Sequence, residues 1–156
     1  SRSYRFIIFN SQIAPALNRA LVTHEYRPLN AQQMREAGRL LLGEHDFTSF
    51  RAAGCQAHSP IRTVNHFDLS ESGQYLWIDI SANAFLQHMV RNIAGSLIEV
   101  GNGKRTVEWF GDLLERKDRT LAGVTAPPNG LYLTGVDYPE EYSLPSCLSN
   151  VGYWNE

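Results

Sequence analysis

Apolar positions change their spacing several times along this chain, and each change marks an element. In YRFIIFN, Tyr4–Asn10, aromatic and β-branched residues run together and stop at Asn10-Ser11, which predicts a strand. Residues 11–30, with Pro15 and Pro28, show no period and are expected to be irregular. From Asn30, a capping residue, AQQMREAGRLLLG puts Met34, Ala37, Leu40 and Leu41 on one helical face, and Gly43 stops the helix. His45–Pro60 has turn residues but no clean period and reads as a structured loop. RTVNHFDLS and QYLWIDIS then flank Glu71-Ser72-Gly73, the signature of a β-hairpin. In its second strand Leu76, Ile78 and Ile80 share one face, and Trp77 and Asp79 the other.

Asn83 is placed to cap a helix that ends near Gly101. At about 100° per residue, Leu86, Met89, Val90, Ile93, Leu97 and Val100 form one apolar stripe. Arg91 falls roughly opposite, with His88 and Gly95 nearest it one turn away on either side. A second helix, near Val107–Lys117, opens at Thr106, and RTLAGVTAPPNG leads into a last strand, LYLTGVDYP. The order is β-α-β-β-α-(α)-β. It predicts an α+β fold of the ferredoxin-like kind, an antiparallel sheet with helices packed on one face. That fold serves many activities and assigns none. Residues 1–145 are expected to form the domain and residues 146–156 a tail; the acidic stretch from Glu140 is expected to wrap the surface or a partner.

Composition narrows this only slightly. Hydrophobic residues make up 43% and charged residues 19%, a globular balance. No apolar run is long enough to span a bilayer. The chain opens without Met and enters an apolar run directly, so it is expected to be a fragment of a longer protein. Net charge is −2, but unevenly spread: residues 1–105 carry eleven Lys+Arg against eight Asp+Glu, residues 106–156 three against eight. Twelve of the fourteen cations are Arg, whose planar fork suits carboxylate and phosphate. Cys55 and Cys147 read as reduced thiols, and CQAH lacks the further ligands of a zinc site.

Candidate chemistry is sparse. Gly95 costs about 1 kcal/mol against Ala inside a helix, and the usual compensation is close approach of another segment. Arg91 beside it is then either an ordinary exposed arginine or one reaching a carboxylate or phosphate held close by. GNGKRT, Gly101–Thr106, fails as a phosphate loop: Ile98 stands where a glycine is needed and Arg105 where Ser or Thr is needed. It reads as a helix C-cap and turn. Tyr4, between Arg2 and Arg5, is either a sheet residue or a platform for stacking a base. The five histidines show no metal spacing, and no Ser-His-Asp or Cys-His set can be assembled.

Several motifs together carry a resemblance. RSYRFIIFN, GEHDFTSFRA, IRTV, SANAFLQHMVRNIAGSLIEVGNG and KDRTLAGVTAPPNGLYLTGVDYP resemble, in that order, the C-terminal half of the TruA-type tRNA pseudouridine synthases. The resemblance covers roughly residues 2–145, and ANAFLQHMVRNIAGSLIEVG is its most specific part. It implies a cytoplasmic homodimer that isomerises uridine to pseudouridine at positions 38 to 40 of the tRNA anticodon arm, with no cofactor, metal or membrane. The uridine is turned out of the stack into the cleft between two halves, since its ring and glycosidic carbon are blocked inside a helix. An essential aspartate, in a GRTDAGVHG-like motif of the N-terminal half, attacks sugar or ring; the base detaches, rotates and rejoins through carbon. That motif is absent from this sequence, so the chain alone is expected to be inactive and to need the N-terminal half of the same protein as its partner.

Three positions match the family's site. Tyr4 corresponds to the tyrosine that stacks on the target base and takes part in proton transfer; Phe6 replaces a second family aromatic. Arg91 corresponds to the basic residue of HMVR that pairs with the catalytic aspartate, a cation favouring the carboxylate form. Leu131, in GLYL, corresponds to an apolar residue lining the uracil pocket, and His88, Asn92 and Gly95 stand behind these. A non-catalytic RNA-binding module of the same fold is the alternative.

Overall fold

The computed structural model describes residues 1–138. The stretch from Glu140 and the tail boundary at 146 lie outside the described residues. The elements run β1 (Arg2–Asn10), β2 (Thr23–Glu25), α1 (Ala31–Arg39), β3 (Gly43–Asp46), β4 (Ile61–Ser72), β5 (Tyr75–Ala82), α2 (Met89–Gly101), α3 (Val107–Arg116) and β6 (Leu131–Val136), with single 3₁₀ turns at Thr48–Phe50 and Arg119–Leu121.

The order β6-β1-β5-β4 reproduces the expected split βαβ. Each neighbouring pair is antiparallel, so β1 and β4 run the same way with β5 between them, and β5 and β6 run the same way with β1 between. Paired residues share a side, which puts Phe6, Ile8, Leu69, Leu76, Ile78 and Ile80 on the face that the helices cover, all fully buried. Burying one such Leu, Ile or Phe side chain contributes about 1.5–3 kcal/mol, so this face fixes the register.

Two strands correct the sequence reading, and the sheet is mixed rather than purely antiparallel. β2 lies in the stretch expected to be irregular and pairs parallel with Ile8–Asn10 of β1. The cause is local: β6 takes only Arg2–Phe6, and the Asn10 side chain donates to the carbonyls of Glu25 and Arg27, drawing that segment onto the vacant edge. β3 starts at Gly43, expected only to stop the helix, runs into the first two residues of the stretch expected to be a loop, and extends the outer edge of β4. Four polar or turn residues, GEHD, carry no alternation for a pattern to detect.

The helix ends shift for equally local reasons. Asn30 caps α1 as expected, its side chain accepting from the Gln33 amide. The helix stops at Arg39 instead of running to Gly43, because Leu40 and Leu41 donate to carbonyls only three residues back. Leu40 therefore swings out, 43% exposed, while Met34, Ala37 and Leu41 are buried. α3 starts at its expected cap, Thr106, whose hydroxyl oxygen accepts from the Trp109 amide.

The helix expected from Asn83 begins only at Met89. The Asn83 side-chain oxygen accepts from the amides of Thr63 and Ala84, which ties it to β4 and leaves residues 84–88 as a turn closed by Met89 N–H to Leu86 C=O. His88, just before the helix, has φ 59°, an uncommon left-handed conformation for a non-glycine residue. α2 is also not amphipathic in place: eleven of its thirteen residues are buried, the exceptions being Arg91 and Glu99. Its polar side is covered by residues 119–126. No helix among the described residues is long and apolar enough to cross a membrane.

Candidate active site

The covered side of α2 is where the chain's chemistry concentrates. Residues 123–126 lie along the helix, joined residue by residue. The Gly123 amide donates to Ser96 Oγ at 3.0 Å, Thr125 Oγ1 donates to Asn92 Oδ1 at 2.6 Å, and the Ala126 amide donates to the Arg91 carbonyl at 3.1 Å. The Val124 carbonyl oxygen occupies the space above Gly95, where a Cβ would sit 1.9 Å from it. The close approach that Gly95 predicts is thus made by the chain's own loop.

Arg91 stands at the head of this seam. Its Nε donates to the Ala126 carbonyl at 2.8 Å. Its Nη1 and Nη2 have no hydrogen-bond partner among the described residues, and no acidic side chain there lies within ion-pair distance. A guanidinium whose Nε is occupied still offers two parallel N–H donors at its far edge, the geometry for a bidentate carboxylate. The arginine is half-buried, so a carboxylate meeting it gains more than it would in open water.

Tyr4 and Leu131 lie on neighbouring strands of the sheet, β1 and β6. Tyr4 shares the helix-facing side of β1 with Phe6, and its ring meets Phe85 edge-on, centroids 5.1 Å apart at 89°. Phe85 sits in the turn that leads into α2. Leu131 pairs with Phe6 across β1–β6 and packs on the core, and Leu133, opposite Tyr4, is 52% exposed. The run from Ala126 to Leu131 therefore connects the carbonyl holding Arg91 to the strand beside Tyr4. None of the three hydrogen-bonds another: Tyr4 meets Phe85, Leu131 pairs with Phe6, and Arg91 donates to the Ala126 carbonyl. His88 is exposed, Asn92 is buried within the seam, and Gly95 is explained by Val124.

Sequence reading assigns no role to Phe85, Arg119 or Thr125, which lie in a turn and a loop without period. Arg119 donates to the Gly123 carbonyl (3.2 Å), to Asn92 Oδ1 (3.1 Å) and to Thr125 Oγ1 (2.8 Å). Just before it, Asp118 caps the 3₁₀ turn, its Oδ1 accepting from the Thr120 hydroxyl and amide; those bonds hold its carboxyl below the ordinary range. A groove of about 440 Å³ lined by Arg105, Trp109 and Leu121 includes none of Tyr4, Arg91 or Leu131. GNGKRT is a helix end and turn, Gly103 at φ 83° following the Asn102 cap.

These features define an α+β domain of the ferredoxin-like kind in which α2 carries a fixed, outward-uncommitted arginine and β1 a tyrosine braced by Phe85. A family model described as tRNA pseudouridine synthase matches residues 37–139. The chain is 54% identical over 145 residues to the tRNA pseudouridine synthase A of Tolumonas auensis, an alignment covering 93% of this chain and 56% of that protein. It is 53% identical over 147 residues to that of Idiomarina loihiensis (94% and 56%) and 53% over 145 residues to that of Pectobacterium atrosepticum (93% and 51%). The chain spans about half the length of the curated relatives it matches. It belongs to the tRNA pseudouridine synthase family.

Proposed function

We propose that this chain is the C-terminal half, residues 1–145 with a tail at 146–156, of an enzyme that isomerises uridine to pseudouridine in the tRNA anticodon arm. The observation that carries the reading is Arg91: half-buried, fixed through Nε, with its outer edge uncommitted. In the proposed site that edge receives the aspartate of a GRTDAG-like motif on the N-terminal half and holds it ionised, ready to attack. Tyr4, braced by Phe85, stacks on the extruded uracil, and Leu131 forms the apolar wall beside it. No metal or cofactor enters this reading.

The relatives named above are tRNA pseudouridine synthases, which supports tRNA as the substrate; action in the cytoplasm belongs to the same proposal. A homodimer is part of the same proposal. The test is reconstitution. Joined to an N-terminal half bearing the aspartate motif, the chain is expected to form pseudouridine in an anticodon stem-loop, and without it to form none. Salt-dependent tRNA binding with no pseudouridine formed by the joined protein would establish the binding-module alternative instead.

A further inference from the structure

Arg119 approaches α2 from the far side of the seam and makes three contacts at once. One terminal nitrogen meets the Gly123 carbonyl; the other meets both Asn92 Oδ1 and Thr125 Oγ1. Asn92 is 1% exposed, and its amide nitrogen donates to the Phe50 carbonyl at 2.8 Å, so it is an anchored acceptor. Thr125 donates to the same Asn92 oxygen. The guanidinium thus spans residues 123 and 125 and fastens both to the helix residue that follows Arg91. No acidic side chain among the described residues pairs with it. Such a charge is retained by its three oxygen acceptors alone, which is a constraint on the loop as much as on the arginine.

The residue after Thr125 is Ala126, which both donates to the Arg91 carbonyl and accepts from Arg91 Nε. If residue 125 moves, the Ala126 carbonyl moves, and Arg91 loses the only acceptor that orients it among the described residues. A free arginine side chain samples many rotamers, whereas one held at Nε presents its Nη edge in one direction. We propose that Arg119 is a positioning residue: through Asn92 and Thr125 it sets the Ala126 carbonyl that aims Arg91. The catalytic consequence rests on the reading of Arg91 given above; the clamp itself does not.

The two parts separate experimentally. In the 156-residue chain labelled with ¹⁵N, the Arg91 Nε–H signal is identified by its loss in Arg91→Lys, and its solvent exchange is measured. Arg119→Gln and Thr125→Val are each expected to speed that exchange about tenfold, the loss of one net hydrogen bond, while Thr125→Ser, which keeps the hydroxyl, stays near the parent rate. Unchanged exchange in a natively folded Arg119→Gln overturns the clamp. If Arg119→Gln does not fold, equal exchange rates in Thr125→Val and Thr125→Ser overturn it in the same way. In the joined enzyme, Arg119→Gln is expected to lower kcat with little change in KM for the stem-loop, and Thr125→Ser to preserve kcat. Accelerated Nε exchange with kcat untouched would leave the clamp standing and remove the catalytic role proposed for Arg91.

Discussion

Two half-buried arginines, Arg5 and Arg91, lie on opposite faces of the sheet, and the chain treats them differently. Arg5 projects from the outer face of β1 and meets Asp79 of β5 with two bonds, 2.8 and 3.0 Å, while its guanidinium lies 5.8 Å from the Trp77 ring centroid. Its charge is met by a carboxylate within the sheet. Arg91 has a carbonyl on one nitrogen and nothing among the described residues on the other two. Both cost desolvation, but only one is repaid by a local carboxylate. An arginine that a fold positions and leaves unpaired is a candidate for a partner from elsewhere; an arginine already paired is a structural fastener. The difference is one of partners, which burial alone does not reveal.

Substituting each arginine tests this directly, and it carries the largest expected effect. In the joined enzyme, Arg91→Ala is expected to lower kcat about a thousandfold, the scale of losing one well-placed electrostatic group, with thermal stability nearly unchanged. Arg5→Ala should do the reverse. It is expected to cost about 1 kcal/mol of stability, since both partners of that pair retain 28% of their side-chain exposure, and to leave turnover within about threefold. Equal losses of turnover in the two variants would erase the difference between a catalytic and a structural arginine.

A smaller effect is expected where the seam is tightest. Gly95→Ala puts a Cβ 1.9 Å from the Val124 carbonyl oxygen, a backbone atom that moves only if the 123–126 segment moves. The expected cost is about 1–3 kcal/mol, read as a fall in denaturation midpoint, with kcat falling alongside because Ala126 is displaced. Gly111→Ala in α3 is the control, since its Cβ would meet only the Leu40 side chain at 3.4 Å. There the gain in helix propensity, about 1 kcal/mol, should show as neutral or raised stability. Equal midpoints for the two variants would mean that the loop does not press on Gly95.

Why was this seam half legible? Period and capping exposed whatever one element decides for itself: the faces of β5, the Asn30 and Thr106 caps, and the ferredoxin-like order. The sites of error were those decided by a second element. Asn83 looks like a helix cap until β4 supplies the Thr63 amide, which takes its side chain. Thr23–Glu25 look irregular until β1 offers a vacant edge. The polar side of α2 looks solvated until residues 119–126 cover it. Only Gly95 betrayed that covering, because a helix pays for a mid-helix glycine and the sequence shows the cost without the cause. Tyr4, Arg91 and Leu131 entered through resemblance to a family; spacing alone named only an odd arginine and a tyrosine beside cations. Arg119 was invisible because its three acceptors come from two segments that no local pattern links.

The smallest expected effect lies at the far end of the same seam and depends on pH. Asp118 accepts from the Thr120 amide and hydroxyl, and those bonds depress its carboxyl in the folded state. A group with a depressed folded pKa contributes stability above its unfolded value, about 3.9, and loses it as pH falls through the lower folded value. Comparing the parent with Asp118→Ala across pH therefore has a definite sign. The parent is expected to be the more stable near pH 7 by an amount that stays constant down to about pH 5 and shrinks below about pH 4. Because Asp118 is exposed, the effect is confined to the 3₁₀ turn and the start of the loop that Arg119 clamps. The sensitive reading is accordingly amide exchange at Gly123, which donates to Ser96 across the seam, rather than global unfolding. Acid should speed exchange there relative to Phe110 in the core of α3, and Asp118→Ala should abolish that acid sensitivity. A Gly123 exchange ratio that stays flat from pH 6 to pH 3 in the parent would sever Asp118 from the seam.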